Sequence, residues 1–179
     1  MIALLWIIPL VVLAALVVRA IVFGYPPPQL PSGSFLNRKE QAVVAACADA
    51  LFPPGGPIPL SGTEAGLVAY MDRYLSGLPA LPRLLGRLLF HSIEHGPWLF
   101  GPRRVRFTRL TPAERIAMLK EMSLSSMYFR RVSFISMRAM MTMGYLAHPD
   151  VAKKMRMVCD VAPFDRGRSG ARASQEVFA

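Results

Sequence analysis

The first 23 residues, MIALLWIIPLVVLAALVVRAIVF, carry one charged side chain, Arg19, and leave the chain little choice of environment. At ~1.5 Å per residue, a helix of that length covers about 34 Å, enough for a hydrocarbon core of roughly 30 Å. Arg19 lies close enough to the end of the run to reach the interface with its long side chain. Pro9 is tolerable inside such a helix because neighbouring groups or water satisfy the carbonyl it frees, and Trp6 suits the interface. A cleaved signal peptide opens with Lys or Arg ahead of a shorter apolar run, and neither residue precedes Arg19. The pairs Arg103-Arg104 and Arg130-Arg131 lie too far along the chain for a twin-arginine signal. Residues 1–23 are therefore expected to form an uncleaved, single-pass transmembrane anchor. Arg19, Arg38 and Lys39 all fall on its C-terminal side. That bias predicts the N-terminus outside and the globular domain in the cytoplasm, at a bacterial inner membrane.

Residues 24–35 follow as a proline-rich linker, with Pro26, Pro27, Pro28 and Pro31 favouring a semi-rigid spacer that holds the domain a short distance from the bilayer. The rest predicts an all-α fold: a small helical bundle over 36–160 and a Gly-, Arg- and Ser-rich disordered tail over 161–179. Asn37 with Glu40 reads as a capping box that opens an Ala-rich helix to about Phe52. Its apolar stripe is Val43, Ala46, Cys47, Ala50 and Leu51, and PPGGP at 53–57 ends it. A second helix is expected from Thr63 to Leu75, with Leu67, Tyr70, Met71 and Tyr74 inward. A third is expected from Pro82 to His95, with Leu84, Leu85, Leu88, Leu89 and Ile93 inward and Gly96-Pro97 as its stop. Thr111-Pro112-Ala113-Glu114 is the clearest local signal, an N-cap, a first-position proline and a capping-box glutamate. The helix it starts runs to about Ser123, with Ile116, Leu119 and Met122 inward. The next, from Ser125 or Ser126 to Ala147, is apolar on nearly every face and reads as the central helix of the bundle. Its methionines, Met127, Met137, Met140, Met141 and Met143, read as core filler. His148-Pro149-Asp150 breaks it ahead of a short basic helix, Val151 to Val158.

Catalytic chemistry finds little support in these residues. His91-Ser92-Ile93-Glu94-His95 matches the H-x-x-E-H pattern, in which two histidines on one helix face hold zinc and the glutamate polarises a water. A third ligand is needed, and neither Glu114 nor Glu121 is marked as one. The plainer reading is a set of polar residues near a helix end. Cys47 falls on an apolar stripe, as a small buried hydrophobe does, and Cys159 has no ligand neighbour. Glycine-rich phosphate loops, a haem-attachment motif and paired carboxylates are all missing from the sequence, so neither a cofactor nor a metal is expected.

The positive charge is concentrated. From Gly101 to Arg138 there are nine Lys and Arg against two Glu, seven of the chain's net ten positive charges. Nucleic acid is excluded as a partner by the lack of any reading motif beside a membrane anchor. An acidic protein surface or anionic lipid headgroups fit Arg103, Arg104, Arg106, Arg109, Arg130, Arg131 and Arg138. On so apolar a helix, Arg131 and Arg138 are expected to pair with Glu114 or Glu121 or to meet a partner.

Two stretches, LNRKEQAVVAACADALFPP and RFTRLTPAERIAMLKEMSLSSMYFRRVSFISMRAMMTMGYLAHP, carry a resemblance over roughly Leu36 to Val151. They are an opening helix with a proline stop, then Phe-x-x-Leu-x-x-x-Glu-Arg, a double arginine and a long helix. This pattern resembles the small helical subunit of flavin-dependent gluconate and glucose dehydrogenases, and the helical N-terminal region of long-chain alcohol oxidases. In that family the flavin and the catalytic residues belong to the large chain or domain. The resemblance implies a non-catalytic accessory subunit that docks on a larger protein of a membrane complex. A structural subunit of a respiratory or photosynthetic assembly is the other reading of the same features.

Overall fold

A computed structural model of the chain describes Val12 and residues 24–161, apart from Pro57, Pro102 and Arg103. Of the expected anchor only Val12, and of the expected tail only Val161, are among the described residues. Among those described there are six α-helices, one short 3-10 turn and no strand, as the all-α reading requires. No helix among them is long and apolar enough to cross a membrane.

The helices are α1 (Arg38–Leu51), α2 (Leu67–Ser76), α3 (Ala80–Phe100), α4 (Pro112–Leu124), α5 (Tyr128–Leu146) and α6 (Pro149–Val161), with the 3-10 turn at Phe107–Arg109. Both capping boxes form. The Asn37 side chain accepts from the Glu40 N–H while Glu40 accepts from the Asn37 N–H, and Thr111 and Glu114 do the same at α4. Each satisfies two backbone donors that a helix start leaves free.

The centre of the bundle is α1 rather than α5. The first helix packs against α2, α3, α4 and the 3-10 turn. Its small side chains, Ala42, Ala46, Cys47 and Ala48, let those neighbours close in, and all four are buried. On α5 the inner stripe of Ser133, Met137, Met141, Gly144 and Tyr145 meets α2 and α4, while Tyr128, Phe129, Val132, Ile135, Met143 and Leu146 face outward. Its apolar character all round thus reflects an uncovered outer face. Of its methionines, Met137 and Met141 are core, Met140 is half-buried, and Met127 and Met143 are exposed.

Further departures occur at α2, α3 and α4. The second helix starts at Leu67, four residues later than the spacing predicts, because residues 62–66 form turns closed by backbone bonds such as Ala65 N–H to Ser61 O. The third runs straight through Gly96-Pro97 to Phe100. Proline there has no N–H for the Ile93 carbonyl, but both residues are buried, and Gly96 lets the Met118 side chain approach α3 closely. Tertiary packing overrides the local breaker. On α3 the buried stripe is Gly86, Phe90, Ile93, Glu94, Gly96 and Pro97, whereas Leu84, Leu85 and Leu88 point outward, each more than half exposed. Ile116 on α4 also faces outward, beside the buried Leu119 and Met122.

The linker is not a free spacer either. Tyr25 is buried, and Arg38 donates to the carbonyls of Tyr25 and Pro26. Gln41 accepts from the N–H groups of Gln29 and Leu30 at 3.0 and 3.1 Å. Leu36 is buried with its N–H on Asp72 Oδ1 at 2.7 Å. The prolines stay at the surface while the residues between them hold the segment against α1 and α2.

Candidate docking surface and the polar junction beside it

The H-x-x-E-H constellation sits in the middle of α3, not at its end. Helical spacing gives His91 and His95 a common face, but turns Glu94 inward. The Glu94 carboxylate is fully buried. It accepts from the Tyr25 hydroxyl at 3.1 Å, the Thr108 N–H at 3.1 Å and the Thr108 hydroxyl at 2.8 Å. His95 Nε2 accepts from the Lys39 ammonium at 3.0 Å, so a cation stands where a metal ion would bind. His91 lies 3.7 Å from Glu40, whose carboxylate already takes both Arg87, at 2.6 Å, and the Asn37 N–H. The three residues of the motif thus answer to different partners, none of them shared. Among the described residues, no three His, Cys, Asp or Glu side chains gather to hold a metal.

What the motif builds is a polar junction. Glu94 ties the linker, through Tyr25, to the 3-10 turn, through Thr108. The Arg106 guanidinium lies over the Tyr25 ring, 4.5 Å from its centroid. Burial pushes the Tyr25 hydroxyl above its ordinary value, with the Glu94 charge adding to the effect. Burial also lowers the pKa values of His95 and His91, and the Lys39 charge lowers both further. Lys39 itself is lowered by burial. Cys47 is enclosed in the core, where burial pushes its thiol up, as an inert structural cysteine requires. Cys159 lies outside the described side chains.

The described arginines of the seven have different surroundings. Arg103 lies outside the described residues. Arg106 is buried against Tyr25, Arg109 is exposed beside Gly24, and Arg104 is exposed. Arg130 reaches Glu121 at 3.3 Å and lies over the Phe100 ring. Arg131 caps α4, donating to the carbonyls of Ser125 and Ser126, so the expected acidic partner is replaced by backbone oxygen. Arg138 is exposed beside α4 and has no ion-pair partner among the described residues.

The feature that sequence reasoning missed is the outer face of α3 and α5. Leu81, Leu85, Leu88 and Leu99 recur along one side of α3, opposite its buried stripe, and Phe129, Val132 and Met140 line the facing side of α5. Between the two helices runs an apolar groove of about 520 Å³, floored by Leu75, Gly86 and Ser133. A second hollow of about 290 Å³ continues it past Gly96, Leu99 and Phe100. The signal was present in LPRLLGRLLF, which holds more leucines than one helix face can bury.

Comparison with protein-family models, with curated proteins and with solved structures finds no match to this chain.

Proposed function

We propose that the chain is a non-catalytic accessory subunit, anchored in the membrane by residues 1–23, that docks on and stabilises a larger protein of a membrane redox or bioenergetic complex. The observation that carries this reading is the apolar outer face of α3 and α5. Soluble monomers rarely leave contiguous apolar patches of that kind uncovered, and a two-helix groove is a ready seat for another apolar element. The charge bias around the anchor supports a cytoplasmic domain at a bacterial inner membrane. The resemblance over Leu36 to Val151 supports a flavin-dependent dehydrogenase as the partner, with respiratory or photosynthetic assemblies as the other class.

The test is purification of the tagged full chain in mild detergent from its own membranes, beside a Leu88→Glu/Val132→Glu variant. Both positions are exposed, so the variant leaves the core intact. The reading expects a stoichiometric larger protein with wild type and its loss with the variant, the absorbance spectrum telling flavin from haem or pigment. A chain that emerges alone and colourless, or a partner that the variant retains equally, would overturn it.

A further inference from the structure

We propose that the end of the domain next to Gly24 is a membrane-contact site. Trp98 sits at headgroup level there, and Arg104 and Arg109 engage the phosphates of anionic lipids. The inference rests on the anchored reading above and gives it an orientation.

Chain length supplies the first argument. Phe23 ends the apolar run, and Tyr25, two residues on, is already buried in the domain. Two residues reach at most about 7 Å when fully extended. The interfacial layer on each side of a bilayer is itself roughly 5–7 Å thick. A domain clamped at Tyr25 therefore cannot stand clear of the headgroups. The clamp is firm, because the Tyr25 hydroxyl is bound to buried Glu94 and its carbonyl is held by Arg38.

Geometry then says which surface is brought there. Glu94 is bonded to Tyr25 on one side and Thr108 on the other, so the linker, the stretch of α3 around Glu94 and the 3-10 turn converge. The final turn of α3 begins three residues past Glu94, about 4.5 Å along the axis. It exposes Trp98 by 54% on the side of the helix that carries Glu94, while Leu99 and Phe100 turn toward the hollow beside Phe129 and Arg130. Gly24 has a φ of +94°, and a Cβ on it would lie 3.0 Å from Arg109 Nη2, which puts that guanidinium beside the entering chain. Arg106 Nη2 lies 3.4 Å from the same point, and Arg104, two residues before it, is exposed. Aromatic rings with guanidinium groups are the combination that interfaces select, the rings at headgroup level and the arginines on phosphate.

The chain's two tryptophans, Trp6 and Trp98, provide the readout. The full chain is reconstituted into vesicles of phosphatidylcholine with added phosphatidylglycerol, the acyl chains brominated either near the headgroup or near the chain end. A Trp98→Phe variant reports Trp6, and a Trp6→Phe variant reports Trp98. Trp98 is expected to lose fluorescence to bromine near the headgroup more than to bromine at the chain end. Adding Arg104→Ala/Arg109→Ala is expected to reduce that loss, with helix content by circular dichroism unchanged. If Trp6 is quenched and Trp98 is not, the contact site is overturned while the anchor stands, and Trp98 belongs to a protein partner. If Trp6 itself escapes quenching, the anchored reading fails. Undiminished quenching in the arginine variant would overturn the phosphate assignment.

Discussion

Glu94 and its neighbours set how this domain answers to pH. The imidazoles of His91 and His95 are held below their ordinary value by burial first and by Lys39 second, with Glu40, Glu94, Arg87 and Arg106 as the other charges near one or both. For a base whose folded-state pKa is depressed, the unfolded chain takes up the proton first. Stability from this source is complete above about pH 6.5 and falls as pH drops from there toward the lowered folded-state values. Thermal unfolding of the detergent-solubilised chain should therefore occur at lower temperature at about pH 5.5 than at about pH 7.5, and His95→Gln should flatten that slope. A melting temperature independent of pH across that window would contradict the burial of these rings. At the same scale the sequence revealed less than it suggested. His91, Glu94 and His95 were legible as a pattern, but their roles were not. The decisive partners, Tyr25, Lys39, Glu40 and Thr108, come from other elements, and spacing within one helix carries no information about them.

At the scale of elements, small residues decide how closely the helices approach. A Cβ at Gly144 would overlap the Tyr70 ring and the Leu67 side chain, both on or facing the inner side of α2. Gly144→Ala should therefore destabilise the domain by about 1–3 kcal/mol, the usual cost of overpacking. Gly77→Ala is the control, because a Cβ there meets its nearest atom at 3.5 Å, an ordinary contact, with φ at −79°. It should change stability by less than about 0.5 kcal/mol. Chemical denaturation followed by circular dichroism measures both, and equal effects would contradict the α2–α5 packing. Helix starts were readable because a capping box is a local device: Asn37 with Glu40 and Thr111 with Glu114 need only each other. The end of α3 was not, because Gly96-Pro97 stays helical through burial against α4. The leucines of α3 show the limit from the other side. Periodicity finds an apolar stripe, but Leu84, Leu85 and Leu88 and the opposed Phe90 and Ile93 both satisfy it, and only the packed structure says which faces inward.

For the whole molecule, the parts combine into one arrangement. The linker is clamped at Tyr25 by Glu94 on one side of α3, and the apolar groove runs between α3 and α5. The all-α class and most of the helices were legible from the sequence. The uncovered face was not, because an apolar helix reads alike whether its outer side meets the core or another molecule. Site-specific photo-crosslinking in native membranes tests the arrangement directly, with a benzophenone side chain placed at Leu88, at Val132 or at the exposed Pro54 on the α1–α2 connection. The account predicts one discrete adduct with a larger protein from Leu88 and Val132 and none from Pro54. No adduct from either groove position, or the same adduct from all three, would contradict it.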